Sequence, residues 1–242
     1  MTAQLQLFET RDSRYGWNVR VSPRARRLTV RVYPGGKVEV IVPKGASAAT
    51  VERFVGTHRQ WIDERVADLS AVSGVTVETR PTTVELPAIG RRYQVEYRVT
   101  AGPDVRIVTG DGVAFVAGRL DDDQQLARAL RRWLMLLAHS ELSRELVGLA
   151  QQHGFEFRRM QIRRQRTRWG SCSVSGTISL NVCCLFQEPQ VMRYLLLHEL
   201  SHTRHMNHSR RFWALVESME PDYRRLDREL SRGWQRVPGW MF

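Results

Sequence analysis

Cysteine is scarce in this chain: Cys172, Cys183 and Cys184 are the only three in 242 residues, and two of them are adjacent. No disulfide framework can be built from that set, so a reducing, cytoplasmic location is the expectation. The opening residues, MTAQLQLFETRDSRYGW, show no basic start followed by an apolar run, and no secretory signal is read there. Long apolar runs are missing as well. The longest, such as WLMLLA (133–138), are far too short to span a bilayer, and no membrane partner is expected. Lysine is almost absent. Lys37 and Lys44 leave 35 of the 37 basic side chains to arginine, within a formal net charge of +12. Charge of this sign admits nucleic acid or phosphate as a partner without identifying one, and coding bias in a GC-rich genome also favours arginine over lysine. There is no internal repeat and no low-complexity segment. With 42% hydrophobic residues, the length supports one large domain or two modest ones.

The pattern predicts an α+β protein: a β-rich N-terminal region with one helix over 1–119, then a helical domain with a small sheet over 120–242. RRLTVRVYPGGKVEVIVP (26–43) alternates on both sides of Pro34-Gly35-Gly36 and reads as a hairpin. Ser47 can cap one helix carrying Val51, Phe54, Val55, His58, Ile62, Val66 and Leu69 at helical spacing, with His58 on its apolar face as a core residue. Strands follow in VTVET, in TTVELPAIGRRYQVEYRV, and in DVRIVTGDGVAFVA, which turns at Gly110-Asp111-Gly112. Beyond Arg119 the period changes. Aspartates 121–123 favour a helix start, a stripe from Leu126 to Leu149 sustains it, and His153-Gly154 ends it. Residues 157–186 read as two or three strands, one lined with Arg158, Arg159, Arg163, Arg164, Arg166 and Arg168, with a turn at Ser175-Gly176. His139 and His153 carry no partner pattern.

Four of the seven histidines fall within HELSHTRHMNH, residues 198–208. Pro189 opens a helix there, and Val191, Tyr194, Leu195, His198 and His202 share one face at spacings of three and four. Rings four residues apart project from successive turns about 6 Å apart, near enough for both to reach one zinc at about 2.0–2.1 Å. Glu199 then stands beside the ion, the H-E-x-x-H arrangement in which the carboxylate is a general base. Two ligands are too few. His205 would sit about 10 Å along the axis from His198, an awkward reach. His208 is better placed if the helix ends near Asn207 and that residue takes a left-handed conformation that bends the chain back. The histidine spacing is that of metzincins, but His205 occupies the position of their glycine, so no metzincin fold is inferred. His205 is read as a group around the ligands or on the surface.

WGSCSVSGTISLN followed by HELSHTRHMNHSRRFW resembles the YgjP-like metallopeptidases, zinc peptidases related to the SprT-like and WLM groups. RARRLTVRVYPGGKVEVIVP and the later RQWI are similar to the same family, so the resemblance covers most of the chain and is strongest from Arg168 to Trp213. It implies a zincin-like domain with zinc held by His198, His202 and His208, and Glu199 as catalytic base. It also implies that Trp169-Gly170-Ser171-Cys172 and the strand after it flank the cleft, making Trp169, Gly170 and Ser171 candidate substrate-binding residues. The residues themselves allow that. Gly170 relieves a tight turn, and TISLNV, as an edge strand, could take an extended peptide by strand addition; a hairpin merely packed under the helix fits its periodicity equally well. Cys172 reads as a small buried residue. Ser209 can cap a following helix whose Phe212, Trp213 and Val216 brace the site.

The expected reaction is zinc-dependent hydrolysis of peptide bonds in a protein or peptide substrate. Three imidazoles leave one zinc position for a water that Glu199 deprotonates. An arginine from 158–168, His205 or Tyr223 could stabilise the oxyanion, without ranking. Two other readings compete. A metal-dependent nucleotide phosphoanhydride hydrolase would use the arginine-rich strand, but no G-x-x-x-x-G-K-[ST] loop is present. A nucleic-acid-binding module with structural zinc would call for a closed, cysteine-rich site, and three histidines with a free glutamate are not one.

Overall fold

The computed structural model describes residues 17–33, 36–70, 79–102 and 104–242, without the side chains of 68–70. The chain divides into two compact units, Met1–Thr76 and Val77–Phe242.

The first unit holds β1 (Asn18–Ser22), β2 (Thr29–Val32), β3 (Val38–Pro43), α1 (Ala48–Thr57) and α2 (Arg59–Ser70). β3 is central, parallel to β1 and antiparallel to β2. Its register puts Val19, Val21, Val30, Val32, Val38, Val40 and Val42 on one face, the β-branched surface that a half-buried sheet favours. The β2–β3 pairing agrees with the expected hairpin, although Pro34 and Gly35 lie outside the described residues. So do residues 75–78 of the VTVET strand. The single helix expected after Ser47 is two. Ser47 does cap α1, accepting from the Thr50 N–H at 3.3 Å, but the helix stops at His58. There the His58 Nδ1 turns back to the Phe54 carbonyl, 2.7 Å away, and the ring is exposed. His58 is therefore not a core residue. An imidazole at an exposed helix end finds a backbone acceptor at once, while Val51, Val55 and Ile62 take the buried positions.

The second unit begins with β4 (Thr83–Leu86), β5 (Arg91–Val99), β6 (Arg106–Gly110) and β7 (Val113–Gly118), ordered β4-β5-β7-β6. β6 and β7 join through Asp111 (φ 48°) and Gly112 (φ 77°), the left-handed pair that a two-residue hairpin requires. α3 (Asp123–His153) starts on Asp122, whose carboxylate accepts from the Gln124 and Gln125 N–H groups, and ends at left-handed Gly154. The compact units divide at 76/77, upstream of the change of period at 119/120. β6 packs on α3, and β4 packs on the buried 3-10 segment Val182–Phe186, so the four strands belong to the same body as the helices.

β8 (Arg159–Arg163), β9 (Gly170–Cys172) and β10 (Thr177–Asn181) form a second sheet ordered β8-β10-β9. β10 is thus the central strand, parallel to β8 and antiparallel to β9, and every one of its residues is buried. TISLNV is not an edge; β9 is. Of the arginines expected on one strand, Arg159 and Arg163 lie on β8, and Arg164, Arg166 and Arg168 lie in the connection to β9. Next come α4 (Pro189–Ser201), α5 (Arg210–Met219) and α6 (Tyr223–Arg232). α4 is buried nearly all round and packs against α3, α5, α6 and β9. Among the described residues, no helix is long and apolar enough to cross a membrane.

Candidate metal centre

His198 sits in the last turn of α4 and His202 caps it. The helix therefore ends at Ser201, six residues before Asn207, and among the described residues Asp111 is the non-glycine residue with positive φ. The left-handed bend expected at Asn207 is not used. Instead the chain turns directly after His202: the Thr203, Arg204 and His205 N–H groups bond to Leu200 and Ser201 carbonyls. The short path to α5 then brings His208 back. The Nε2 atoms of His198 and His208 stand 3.1 Å apart, and ligand atoms of His198, His202 and His208 all lie within 4.8 Å of one another. His205 contributes differently. Its backbone carbonyl lies 3.1 Å from the His202 Nδ1.

Burial favours the neutral form of His198 and His202. His198 is pushed down to about 3 by desolvation and then by its two histidine neighbours, and His202 is lowered chiefly by burial. Phe212, presented by α5 after Ser209 caps it, touches all three rings at centroid distances of 4.5–5.0 Å. Trp213 stacks on His208, and Tyr223 stacks on Trp213 in turn. Phe212 and Trp213 thus brace the cluster as the sequence suggests, while Val216 lies wholly buried on the same helix.

Glu199 is 4% exposed, and its Oε2 has no hydrogen-bond partner. Desolvation raises its pKa to about 8, opposed by the Arg168 guanidinium. The side chain lies against the backbone of β9. A Cβ built on Gly170 would stand 2.4 Å from Glu199 Oε1 and 2.8 Å from its Cγ and Cδ. Glycine is thus required here because a carboxylate occupies the space a side chain would need. The turn's neighbours take separate roles. The Trp169 ring is buried and stacked on Trp234 at 4.1 Å. Ser171 follows on the strand at the sheet edge. Cys172 is half-buried, where full burial was expected; burial and the nearby Glu199 push its thiol to about 11, which keeps it protonated and inert.

A family model described as the YgjP-like metallopeptidase domain matches residues 26–233. The chain belongs to the YgjP-like metallopeptidase family. Among solved structures, the metallopeptidase zymogen abylysin of Pyrococcus abyssi is 29% identical, over 36% of this chain and 89% of that one, with a TM-score of 0.33. No curated protein matches the chain. Membership makes the protein a peptidase and implies a metal ion.

The residues present fit such an ion. Two imidazole nitrogens bound tetrahedrally to zinc at 2.0–2.1 Å would stand about 3.3–3.4 Å apart, close to the 3.1 Å between His198 and His208. The outer groups of this YgjP-like metallopeptidase also free the right nitrogens. Tyr194 donates its hydroxyl proton to Asp227 Oδ1 at 2.8 Å, so the His198 Nδ1, 3.3 Å from the Tyr194 hydroxyl oxygen, is the donor to it and its Nε2 is left unprotonated. The His202 Nδ1 donates to the His205 carbonyl with the same effect. Tyr194 is visible in the sequence only as an apolar-face residue one turn before His198, and Asp227, on α6, carries no sequence signal at all. Asn181 was equally silent. Its Nδ2 donates to the Gln165 and Arg168 carbonyls, both at 2.7 Å, and its Oδ1 accepts from Cys183, which holds the loop that delivers Gly170.

Gly170→Ala therefore has a defined outcome. The methyl group must displace the Glu199 carboxylate by about 1 Å, a shift that costs about a hundredfold in rate when the group is catalytic. Metal content should remain unchanged, because the atoms nearest the added methyl group all belong to the Glu199 side chain. Metal analysis beside peptide-cleavage rates separates the two effects.

Proposed function

We propose that this protein is a zinc-dependent peptidase in which His198, His202 and His208 hold the ion, Glu199 is the general base, and the free edge of β9 at Gly170-Ser171 holds the substrate backbone. One observation carries the reading: three imidazoles converge within 4.8 Å, and the same helix turn carries a buried glutamate with an unpaired oxygen. An all-imidazole donor set suits zinc among the available divalent ions. When bound, the ion supplies Lewis acidity, polarising a carbonyl and making water acidic near neutral pH. Glu199 takes the proton of the attacking water and returns it to the leaving amine. A carboxyl group raised to about 8 by burial is matched to that exchange at neutral pH. The Tyr194–Asp227 pair and the His205 carbonyl hold two rings in register during turnover. At the free edge of β9, an extended peptide would add as a further strand, setting its scissile carbonyl beside Glu199.

The test combines metal content with substrate choice on one preparation. The purified protein should carry about one zinc per chain and cleave a casein or mixed-peptide substrate. Chelation should abolish cleavage, and zinc should restore it. Hydrolysis of nucleoside triphosphates in place of peptides, or peptide cleavage indifferent to chelation, would overturn the assignment.

A further inference from the structure

The first unit carries a charged face that peptide hydrolysis leaves unexplained. Opposite its valine-lined side, the three-stranded sheet presents Arg20 and Thr29 on either side of Ile41, with Arg31 one step along β2 beside Glu39. The β1–β2 connection, residues 23–28, crosses the C-terminal end of β3 and adds Arg24, Arg26 and Arg27. Together the five arginines surround a depression of about 390 Å³ floored by Ile41, and no acidic residue lines it. Glu39 stands beside it on β3, opposite Arg31. It is already held by Arg20 at 2.9 Å and by the Tyr33 hydroxyl at 2.7 Å. Arg24, Arg26 and Arg27 are exposed and make no ion pair or hydrogen bond with another described residue.

Concentrating like charge this way costs stability through mutual repulsion, so a purely structural role is a poor account of it. Strands about 4.8 Å apart put Arg20 and Arg31 roughly 12 Å from one another across the sheet, too wide for one small anion and suited to successive charges on a polymer. Guanidinium forks match phosphate oxygens in pairs, which an ammonium cannot do. The lining holds no aromatic ring, so nothing there stacks on a base or reads one. We infer that this face is a binding site for the phosphate backbone of nucleic acid, engaged without regard to sequence.

The experiment uses the full chain and a fluorescent 20-base-pair DNA duplex, with anisotropy followed as salt is raised. Each phosphate neutralised contributes about −0.9 to the slope of log K against log salt, so wild type should give about −4. Arg24→Ala/Arg26→Ala/Arg27→Ala should flatten the slope by about 2.7 and weaken binding at low salt at least tenfold. The corresponding triple lysine variant should keep most of the slope, which separates lost charge from lost folding. Arg98→Ala/Arg106→Ala/Arg158→Ala removes the same charge from exposed positions of the second unit and should bind like wild type. An equal loss in that control would assign binding to net charge alone and overturn the site. So would an unchanged slope in the first variant, absence of duplex binding in wild type, or equally tight binding of poly-glutamate.

Discussion

Glu199→Gln is expected to keep about one zinc per chain while peptide cleavage falls about a thousandfold, the middle of the range for removing a general base. Glutamine preserves the shape beside Gly170 and cannot accept the proton. The same substitution should stabilise the metal-free protein, with a pH dependence whose sign follows from burial. Burial pushes the Glu199 carboxyl up to about 8 in the folded chain, against an ordinary 4.5. Between those values the folded state binds more protons than the unfolded one, so stability falls as pH rises through the window. By pH 7 the buried carboxylate costs about 3 kcal/mol relative to acid conditions. Chelated wild type should therefore lose stability between pH 5 and pH 8 in denaturant melts, and chelated Glu199→Gln should lose much less. A variant that stays fully active would remove Glu199 from the role of base, and a metal-free wild type whose melting ignores pH across that window would show that burial does not raise its pKa.

The contrast explains which parts of the molecule were legible in the sequence. H-E-x-x-H fixes side chains by helix geometry alone, because residues four apart meet wherever the helix lies, and the His198–His202 pairing follows. Helix ends set by strong local chemistry were equally plain, as at Ser47, Asp122 and Gly154. The end of α4 was not. Nothing in Thr203–Asn207 forces a stop at His202, and tertiary packing decides where the chain turns. Strand order was hidden for the same reason. Alternation identifies β10 as a strand, but placing it between β8 and β9 depends on partners distant in sequence. His58 shows the opposite failure, an apolar-face position whose ring bonds its own helix end. Asp227 was beyond reach, since its role exists only because α6 packs on α4.

Removing ligands should distinguish the two ends of the cluster. His198 is ringed by His202, His208, Phe212, Trp213 and Tyr194 at centroid distances of 5.0–5.8 Å, whereas His208 is exposed. With the proposed ligand set, both His198→Ala and His208→Ala take one of three donors from the ion. Loss of an outer partner alone costs about 10–100-fold in metal affinity, so loss of a ligand should exceed about a hundredfold in either variant, with cleavage falling alongside. Their metal-free stabilities should differ. His198→Ala opens a hole under Phe212 and strips the Tyr194 oxygen of its donor, a buried defect of about 1–3 kcal/mol. At His208 the truncated position fills with solvent, and the change should stay within about 0.5 kcal/mol. Zinc titration with a competing chelator measures the first quantity and denaturant melts in chelator the second. Wild-type zinc affinity in His208→Ala would transfer the third position to another group, with His205 the nearest imidazole in the turn.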